Sequence, residues 1–244
     1  MRRWLLMGLS LVAVAASAKE VGQTEKSMEF EFKLGPLKPY VDRQFPDIPE
    51  ADRPYQKSFN GTPMLFGEIE IDKQLFQSFG SFAIGLSIGY GEKFGRATDA
   101  VTGVAADEST GLRVVPIKAL AVYRFDWAVP KYNIPLVPYL KAGFVFEPWW
   151  IVKGQGTEVA DGLSGTGVKW GLTGVVGLAL QIDFLDPRLA RDFDSSTGVN
   201  HTYLFAEYSL DEMTIGQGQS SDPAAPKPLD LSSHHWMFGL SIEF

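Results

Sequence analysis

The chain contains no cysteine, which excludes a disulfide framework and any metal site built from thiolates. It has no run rich in lysine and arginine, and its formal net charge is −7. An acidic chain without a basic patch is a poor candidate for binding nucleic acid or for electrostatic attachment to anionic lipid. Nucleic acid is therefore not among the partners that we expect.

Long apolar runs are also missing beyond the N-terminus. A membrane-spanning helix needs roughly 20 apolar residues in succession. The nearest approach, Gly171–Ile182, is short, rich in glycine and followed by Asp183. If the mature chain crosses a membrane, it must therefore do so as β-strands.

The N-terminus has the features of an export signal. Arg2 and Arg3 precede a short apolar core, and the small residues Ala16-Ser17-Ala18 form a cleavage site. We predict a signal peptide over residues 1–18, cleaved after Ala18, and a mature domain over residues 19–244. An uncleaved anchor is the alternative, but the apolar core is too short to span about 30 Å of hydrocarbon.

What the sequence does contain is an alternation of apolar and polar residues with a period of two residues. In the C-terminal segment, Trp236, Phe238, Leu240, Ile242 and Phe244 alternate with residues that are mostly small or polar. Side chains along a strand point alternately to opposite faces, so one face of this strand is apolar. The abundant glycine, 25 residues, and the 13 % aromatic content are also typical of β-barrels.

Seven upstream segments alternate in the same way, although the fourth does so less regularly. With the last one, the eight predicted strands are Met28–Leu34, Leu65–Asp72, Ala83–Tyr90, Val115–Phe125, Tyr139–Glu147, Val168–Asp183, Leu204–Asp211 and His235–Phe244. The polar faces carry nearly all of the charge, in fourteen residues: Glu29, Glu31, Lys33, Glu68, Glu70, Asp72, Lys118, Arg124, Lys141, Glu147, Lys169, Glu207, Asp211 and Glu243.

Two architectures fit such strands, a soluble β-sandwich and a membrane barrel. The connections favour the barrel because they alternate in length: Tyr40–Gly61, Lys93–Gly111, Ile151–Thr166 and Ile215–Ser233 are long, whereas Leu75–Ser81 and Trp127–Ile134 are short. The aromatic residues also fall into two groups, one at each end of the strands. Tyr90, Trp149, Trp150, Trp170 and Trp236 fall at the end with the long loops, and Phe30, Tyr123, Phe125 and Phe244 at the opposite end.

We therefore predict an all-β fold, an eight-stranded antiparallel up-and-down transmembrane β-barrel. The connection Leu185–Asn200 is long for a periplasmic turn. Asp186 followed by Pro187 is typical of a helix start, which predicts a short periplasmic helix between strands six and seven.

Eight strands leave an interior just wide enough for side chains. We expect the fourteen charged residues to form ion-paired layers that fill this lumen, and we favour this structural role over an ion path. The set contains nine acids and five bases. Some of the acids must then be protonated, hydrated or bound to a cation.

Several strings give the chain a family likeness. They are Pro135–Gly143 (PLVPYLKAG), Trp149-Trp150, Ala160–Gly167 (ADGLSGTG), Phe184–Asp194 (FLDPRLARDFD) and Gly198–Tyr203 (GVNHTY). Through them the mature chain resembles a bacterial family of outer-membrane β-barrel proteins without an assigned activity. The alternate apolar residues that end in Phe244 are similar to the C-terminal signal that barrel insertion machinery reads. The likeness implies the outer membrane of a Gram-negative type of envelope.

Catalytic and metal-binding patterns are weak. The histidines are His201, His234 and His235, and the last two point to opposite faces of one strand. Lipid-deacylating barrels use a serine and a histidine close together, oriented by a carboxylate, whereas Ser232 and Ser233 here precede His234 in a loop. We expect no catalytic residue, no cofactor and no histidine metal site.

The function that this pattern favours is a non-enzymatic barrel with a structural role or a role in contacts made by its loops. Two alternatives remain open: a narrow transporter of small apolar molecules and a lipid-modifying enzyme. The expected partners are outer-membrane lipid, lipopolysaccharide and the barrel insertion machinery.

Overall fold

A single antiparallel sheet dominates the protein, in a computed structural model that describes residues 27–98, 105–132, 134–153, 156–157, 159–160, 163–213 and 229–244. The predicted signal peptide and most of the predicted loop Ile215–Ser233 lie outside these residues. The strands are β1 Met28–Leu37, β2 Met64–Ser78, β3 Gly80–Thr98, β4 Ala105–Val114, β5 Ile117–Arg124, β6 Leu136–Lys153, β7 Gly156–Thr157, β8 Val159–Ala160, β9 Leu163–Ser164, β10 Thr166–Gln181, β11 His201–Glu212 and β12 Ser233–Glu243. The helices are α1 Pro54–Phe59, α2 Ala128–Tyr132 and α3 Pro187–Thr197, with 3-10 turns at Val41–Gln44, Glu50–Asp52 and Asp183–Leu185.

The sheet closes on itself. Each long strand pairs with its neighbour in the chain, and β1 also pairs with β12, so that Phe32 lies opposite Leu240. Both β4 and β5 pair with β3 on one side and β6 on the other, which makes them two halves of one strand of the wall. The protein is thus an eight-stranded antiparallel up-and-down barrel, as predicted, and closure pairs the first strand of the described wall with the last.

The apolar faces point outward. On the apolar faces of four strands, Phe32 is 47 % exposed, Leu86 57 %, Leu178 46 % and Leu240 39 %. In β1 buried and exposed residues alternate without exception over ten positions. A β-sandwich would bury these residues between two sheets, so that alternative is wrong.

The predicted fourth strand, Val115–Phe125, is present as the slightly shorter β5, Ile117–Arg124. The wall divides between β4 and β5 just before it, at Val115-Pro116. Proline cannot donate a ladder hydrogen bond. The wall stays closed there because Val115 N donates to Pro148 O at 2.9 Å and Gly89 N donates to Pro116 O at 2.8 Å.

Strands extend further at one end than the sequence predicted. The connection Lys93–Gly111 was expected to be a loop, yet β3 continues to Thr98 and β4 begins at Ala105, and the two pair through Phe94 and Gly111. At about 3.3 Å per residue, β3 is far longer than the 9–11 residues that cross a membrane. We call this the loop end of the barrel and the opposite end the turn end.

The turn end is compact. β2 and β3 meet in a tight hairpin in which only Phe79 separates the paired Ser78 and Gly80. Gly80 has φ of 95°, and a Cβ there would lie 2.4 Å from Arg124 O, so glycine is required. The predicted short helix between the sixth and seventh strands of the wall is present as α3.

Residues before α3 explain its start. Asp186 Oδ1 accepts a hydrogen bond from Arg188 N at 3.1 Å, which satisfies one of the free amides of the first turn. None of the described helices is both long enough and apolar enough to cross a membrane.

Candidate functional site

The interior of the barrel is the candidate site, because it collects ionisable side chains where water is scarce. The structure buries all fourteen of the charged residues that alternation assigned to the lumen: Glu29, Glu31, Lys33, Glu68, Glu70, Asp72, Lys118, Arg124, Lys141, Glu147, Lys169, Glu207, Asp211 and Glu243. Their strands place them inside because each occupies the inward position of a two-residue repeat.

Two lysines form the centre of this network. Lys33 Nζ lies 2.6 Å from Glu70 Oε2 and 2.8 Å from Glu207 Oε1. Lys141 Nζ lies 2.6 Å from Glu31 Oε2 and 2.7 Å from Glu70 Oε1. Each ammonium thus bridges carboxylates from different strands, so the pairs link opposite sides of the wall across the lumen.

A second group lies nearer the loop end. Lys118 Nζ is 3.1 Å from Glu68 Oε2 and 3.2 Å from Asp211 Oδ2. Thr173 Oγ1 donates to Asp211 Oδ1 at 2.6 Å. The aspartate is therefore held by a cation and by a hydroxyl, the pairing that a buried carboxylate needs.

A third group lies nearer the turn end. Arg124 Nη2 contacts Glu29 Oε1 at 2.8 Å and also pairs with Glu31. Glu243 accepts hydrogen bonds from Gln74 Nε2 at 2.7 Å and from Tyr203 OH at 3.1 Å. The polar lumen thus continues from its centre down to the last residues of β12.

An apolar cluster fills the lumen at the loop end, and sequence reasoning missed it. We call it the loop-end plug, and its buried members are Leu37, Val41, Tyr55, Phe59, Met64, Phe66, Leu112, Val114, Val145, Met213, Leu231 and Met237. Several come from inward positions of strands, such as Leu37, Phe66 and Met237. A signal for it was available, because these inward positions turn apolar only near one end of their strands.

The first long connection supplies part of the plug. The sequence predicts only a long loop here, but Tyr55 and Phe59 in α1 are buried in the plug. Asp42 holds the start of α1, since its Oδ1 accepts from Tyr55 N at 2.7 Å and its Oδ2 from Gln56 N at 2.9 Å. The spacing of two aromatics four residues apart after Pro54 could have predicted this helix.

The loop end is also tied together by polar contacts. Arg43 Nη2 donates to Asp230 Oδ2 at 2.9 Å, and Asp230 N donates to Gln44 Oε1 at 2.9 Å. Tyr40 N donates to Ser232 O at 2.8 Å. Residues 40–44 of the first long connection and residues 230–232 of the last are thereby joined to each other above the plug.

Aromatic side chains frame the outer surface. Trp170 packs on Phe146 with ring centroids 4.5 Å apart, and Trp236 packs on Tyr208 at 5.1 Å. Trp149 was expected at the same surface, but it packs against the loop-end plug instead. The reason is the two-residue repeat of a strand, which places position 149 on the same inward face of β6 as Lys141 and Glu147.

The residues of the predicted insertion signal lie on the outer face of β12 and at its end. Trp236, Phe238, Leu240 and Phe244 are exposed, and Ile242 is half-buried. Ser27 N and Met28 N both donate to Phe244 O, at 2.6 and 3.1 Å, so the last residue is fixed to β1. Recognition by insertion machinery stays a prediction.

The three histidines each contact a different side chain. His201 Nδ1 lies 2.6 Å from Asp183 Oδ2, and His234 Nε2 lies 3.0 Å from Glu212 Oε1. Ser233 Oγ and His235 Nδ1 are 3.2 Å apart, which is hydrogen-bond distance. This last pair faces the lumen, with Ser233 1 % and His235 3 % exposed, so lipid around the barrel cannot reach it.

At the turn end, hydrogen bonds converge on Asp183. Burial alone would raise its pKa, but hydrogen bonds from His201, from Gln181 Nε2 at 2.9 Å and from Thr202 N at 3.1 Å stabilise the carboxylate. The pKa of Asp183 is consequently lowered from its ordinary value.

A cavity of ≈ 240 Å³ opens at the turn end. Polar groups line most of it, among them Gln77, Ser81, Asp126, His201 and Tyr203. It lies directly below the turn-end group of the lumen, because Tyr203 also bonds Glu243. The lumen is therefore filled by apolar side chains at one end and bordered by a polar cavity at the other.

Comparison with known proteins concerns the fold. No protein-family model matches the chain, and no curated protein does. Among solved structures, Neisserial surface protein A is similar over 92 % of this chain and 100 % of its own, at 13 % identity and a TM-score of 0.45. The attachment invasion locus protein Ail of Yersinia pestis covers 91 % and 100 % at 12 % identity and a TM-score of 0.43. The N-terminal β-barrel domain of OprF of Pseudomonas aeruginosa covers 90 % and 100 % at 12 % identity and a TM-score of 0.39.

Proposed function

We propose that the protein spans the outer membrane as a closed barrel that does not conduct, and that its loop end is a surface for contacts outside the cell. One observation carries this proposal: the barrel is apolar outside, and ion-paired side chains fill its inside. Water favours the reverse arrangement, whereas lipid favours this one.

The filled lumen supports a structural role over transport. Lys33 and Lys141 together contact four carboxylates, and the loop-end plug lies above them. The four are Glu31, Glu68, Glu70 and Glu207. A continuous water path would require these buried pairs to separate, and breaking a buried pair costs about 3–5 kcal/mol. Steady conduction of ions is therefore disfavoured.

The described part of the loop end suits contacts with a partner because specific side-chain contacts hold it in place. Arg43 and Asp230 join two long connections, and β3 extends the wall on one side of the rim. A preordered surface loses less conformational entropy on binding than a disordered one does. Lipopolysaccharide is the first partner to test, since it surrounds a barrel in this membrane.

Location and conduction can be tested together. The protein is expected in the outer-membrane fraction, and the folded barrel should migrate differently on a gel before and after boiling. In planar bilayers it should give no discrete conductance steps, with a large porin in the same bilayers as the positive control. Recovery of the protein in the soluble fraction would overturn the location, and a stable open channel would favour the transporter instead.

A further inference from the structure

Three carboxylates lie side by side at the turn end of the lumen. In the register of the sheet, Glu29 of β1 pairs with Asp72 of β2 on one side and with Glu243 of β12 on the other. Like charges directly opposite each other on neighbouring strands destabilise a sheet. Arg124 pairs with Glu29 and Glu31, and the described residues include no ion pair to Asp72.

Asp72 is the unexplained member of this row. Its side chain points inward and is 1 % exposed, yet neither carboxylate oxygen has a hydrogen-bond partner among the described residues. Gly85 faces it, and a Cβ at that position would lie 2.2 Å from Asp72 Oδ1. The fold thus makes room for a buried carboxylate that has no hydrogen-bond partner in the described part of the chain, which is costly for a charged group.

The spacing of the cluster fits a cation. One carboxylate oxygen from each of Glu29, Glu31 and Asp72 lies within 4.8 Å of the other two. Oxygen ligands bind Ca²⁺ at about 2.3–2.6 Å, so two ligands of one ion are at most about 5 Å apart. We propose that Glu29, Glu31 and Asp72 form a binding site for a hard divalent cation, of which Ca²⁺ is the best match.

The donor set decides the class of ion. All three ligands are carboxylates, which suit Ca²⁺ and Mg²⁺ and not the softer metals that prefer nitrogen or sulfur. Mg²⁺ demands near-ideal octahedral geometry and keeps several waters, whereas Ca²⁺ accepts irregular shells. Ligands on neighbouring β1 and β2, shared with Arg124 on the far side, form an irregular shell.

The turn end offers the shorter route for an ion to the site. The cavity there is lined by Gln77 and Tyr203, and Gln77 Nε2 donates to Gln74 Oε1 at 2.5 Å. Gln74 and Tyr203 both bond Glu243, whose strand neighbour is Glu29. One layer of polar side chains thus separates the cavity from the cluster, whereas the loop-end plug fills the opposite end.

The test uses the full-length mature protein, folded in detergent, stripped with a chelator and confirmed as folded by its gel shift. Equilibrium dialysis with radioactive Ca²⁺ should show one saturable site per barrel, and a Ca²⁺ concentration about 100 times Kd should raise Tm by about 5 °C or more. Asp72→Asn should lose the site and the Tm shift. Asp52→Asn, which removes an exposed loop carboxylate, should keep both.

Each outcome decides the proposal. Absence of a saturable site in the wild type overturns it and indicates that Asp72 carries a proton. Retention of Ca²⁺ binding by folded Asp72→Asn also overturns it, because the ion must then lie elsewhere. If Asp72→Asn does not fold, Glu29→Gln takes its place in the same assay. The absence of bilayer conductance is a separate readout, so either proposal can fail without the other.

Discussion

Lys141 lies where carboxylates from several strands converge. It is fully buried and contacts Glu31 and Glu70 directly, with Glu207 at 3.6 Å. Lys141→Ala would leave these carboxylates short of a cation in a place that water does not reach. We expect the free energy of unfolding to fall by about 3–5 kcal/mol.

Urea titration of the folded barrel in detergent or lipid measures this loss. Lys57→Ala is the matched control, because Lys57 is exposed in α1 and should change stability by less than about 0.5 kcal/mol. Equal midpoints for the two variants would contradict the structural role of the lumen network.

Asp183 gives a prediction about pH. A carboxylate whose folded pKa is lowered stabilises the protein above its unfolded pKa of about 3.9, and this contribution is lost as pH falls through the folded value. At neutral pH, Asp183→Asn should therefore cost about 1 kcal/mol, since solvent screens part of the interaction.

Tm measured from neutral pH into strong acid tests this. The difference between wild type and Asp183→Asn should shrink only below about pH 4 and vanish in stronger acid. Asp192→Asn, at an exposed position of α3, should show no such pH dependence. A difference that stays constant into strong acid would rule out the carboxylate as its source.

Among the elements, helix α1 in the first long connection should be sensitive to a single substitution, because one side chain accepts two of its N-terminal amides. Asp42 accepts the amides of Tyr55 and Gln56, and Asp42→Ala would leave both without that partner. The cost should be about 1 kcal/mol, felt locally as fraying of α1 from the loop-end plug.

Limited proteolysis of the folded protein detects such fraying. Cleavage within residues 40–61 should be several times faster in Asp42→Ala than in the wild type. Asp52→Ala removes a neighbouring carboxylate, and the side chain of Asp52 is exposed. Similar cleavage rates for the two variants would show that the cap does not hold the helix.

The strands were predictable where one face meets lipid and the other the lumen, because that contrast imposes a period of two. It correctly assigned Phe32 outward and Lys33 inward. Beyond the membrane the contrast disappears, so residues such as Lys93 and Arg96 carried no signal that β3 continues. The plug was missed for a related reason: Leu37 and Met237 are apolar on a face that was defined by its charges.

The same limit applies to the candidate site: the sequence predicted which face each residue lies on, but not which residues make contact. Alternation could place Asp72 on the inward face, but it could not show that Arg124 would pair with Glu29 and that no described residue would pair with Asp72. That outcome depends on which side chains meet across the lumen, and the shear of the closed barrel sets those meetings.

For the whole molecule, the apolar outer face of the wall predicts how a charged substitution there affects insertion into the membrane. Leu86 is exposed midway along the membrane-crossing part of β3, next to Ile71 of the neighbouring strand. Leu86→Lys would place an ammonium in hydrocarbon at a cost of about 2–4 kcal/mol. We expect less folded protein in the outer membrane and a lower unfolding free energy in lipid.

Leu185→Lys is the control, since Leu185 is 72 % exposed but lies in a turn beyond the strands. It should insert like the wild type, as judged by the heat-modifiable band. If both variants insert equally well, the exposed apolar surface is not facing lipid.

The loop-end plug fills one end of the lumen, and the polar cavity lies at the other. In the orientation that we propose, the plugged end faces the medium and the cavity faces the periplasm. An ion that reaches the lumen through the cavity would then exchange with the periplasm alone. Its binding should follow the composition of the cell's own envelope and stay insulated from changes in the surroundings.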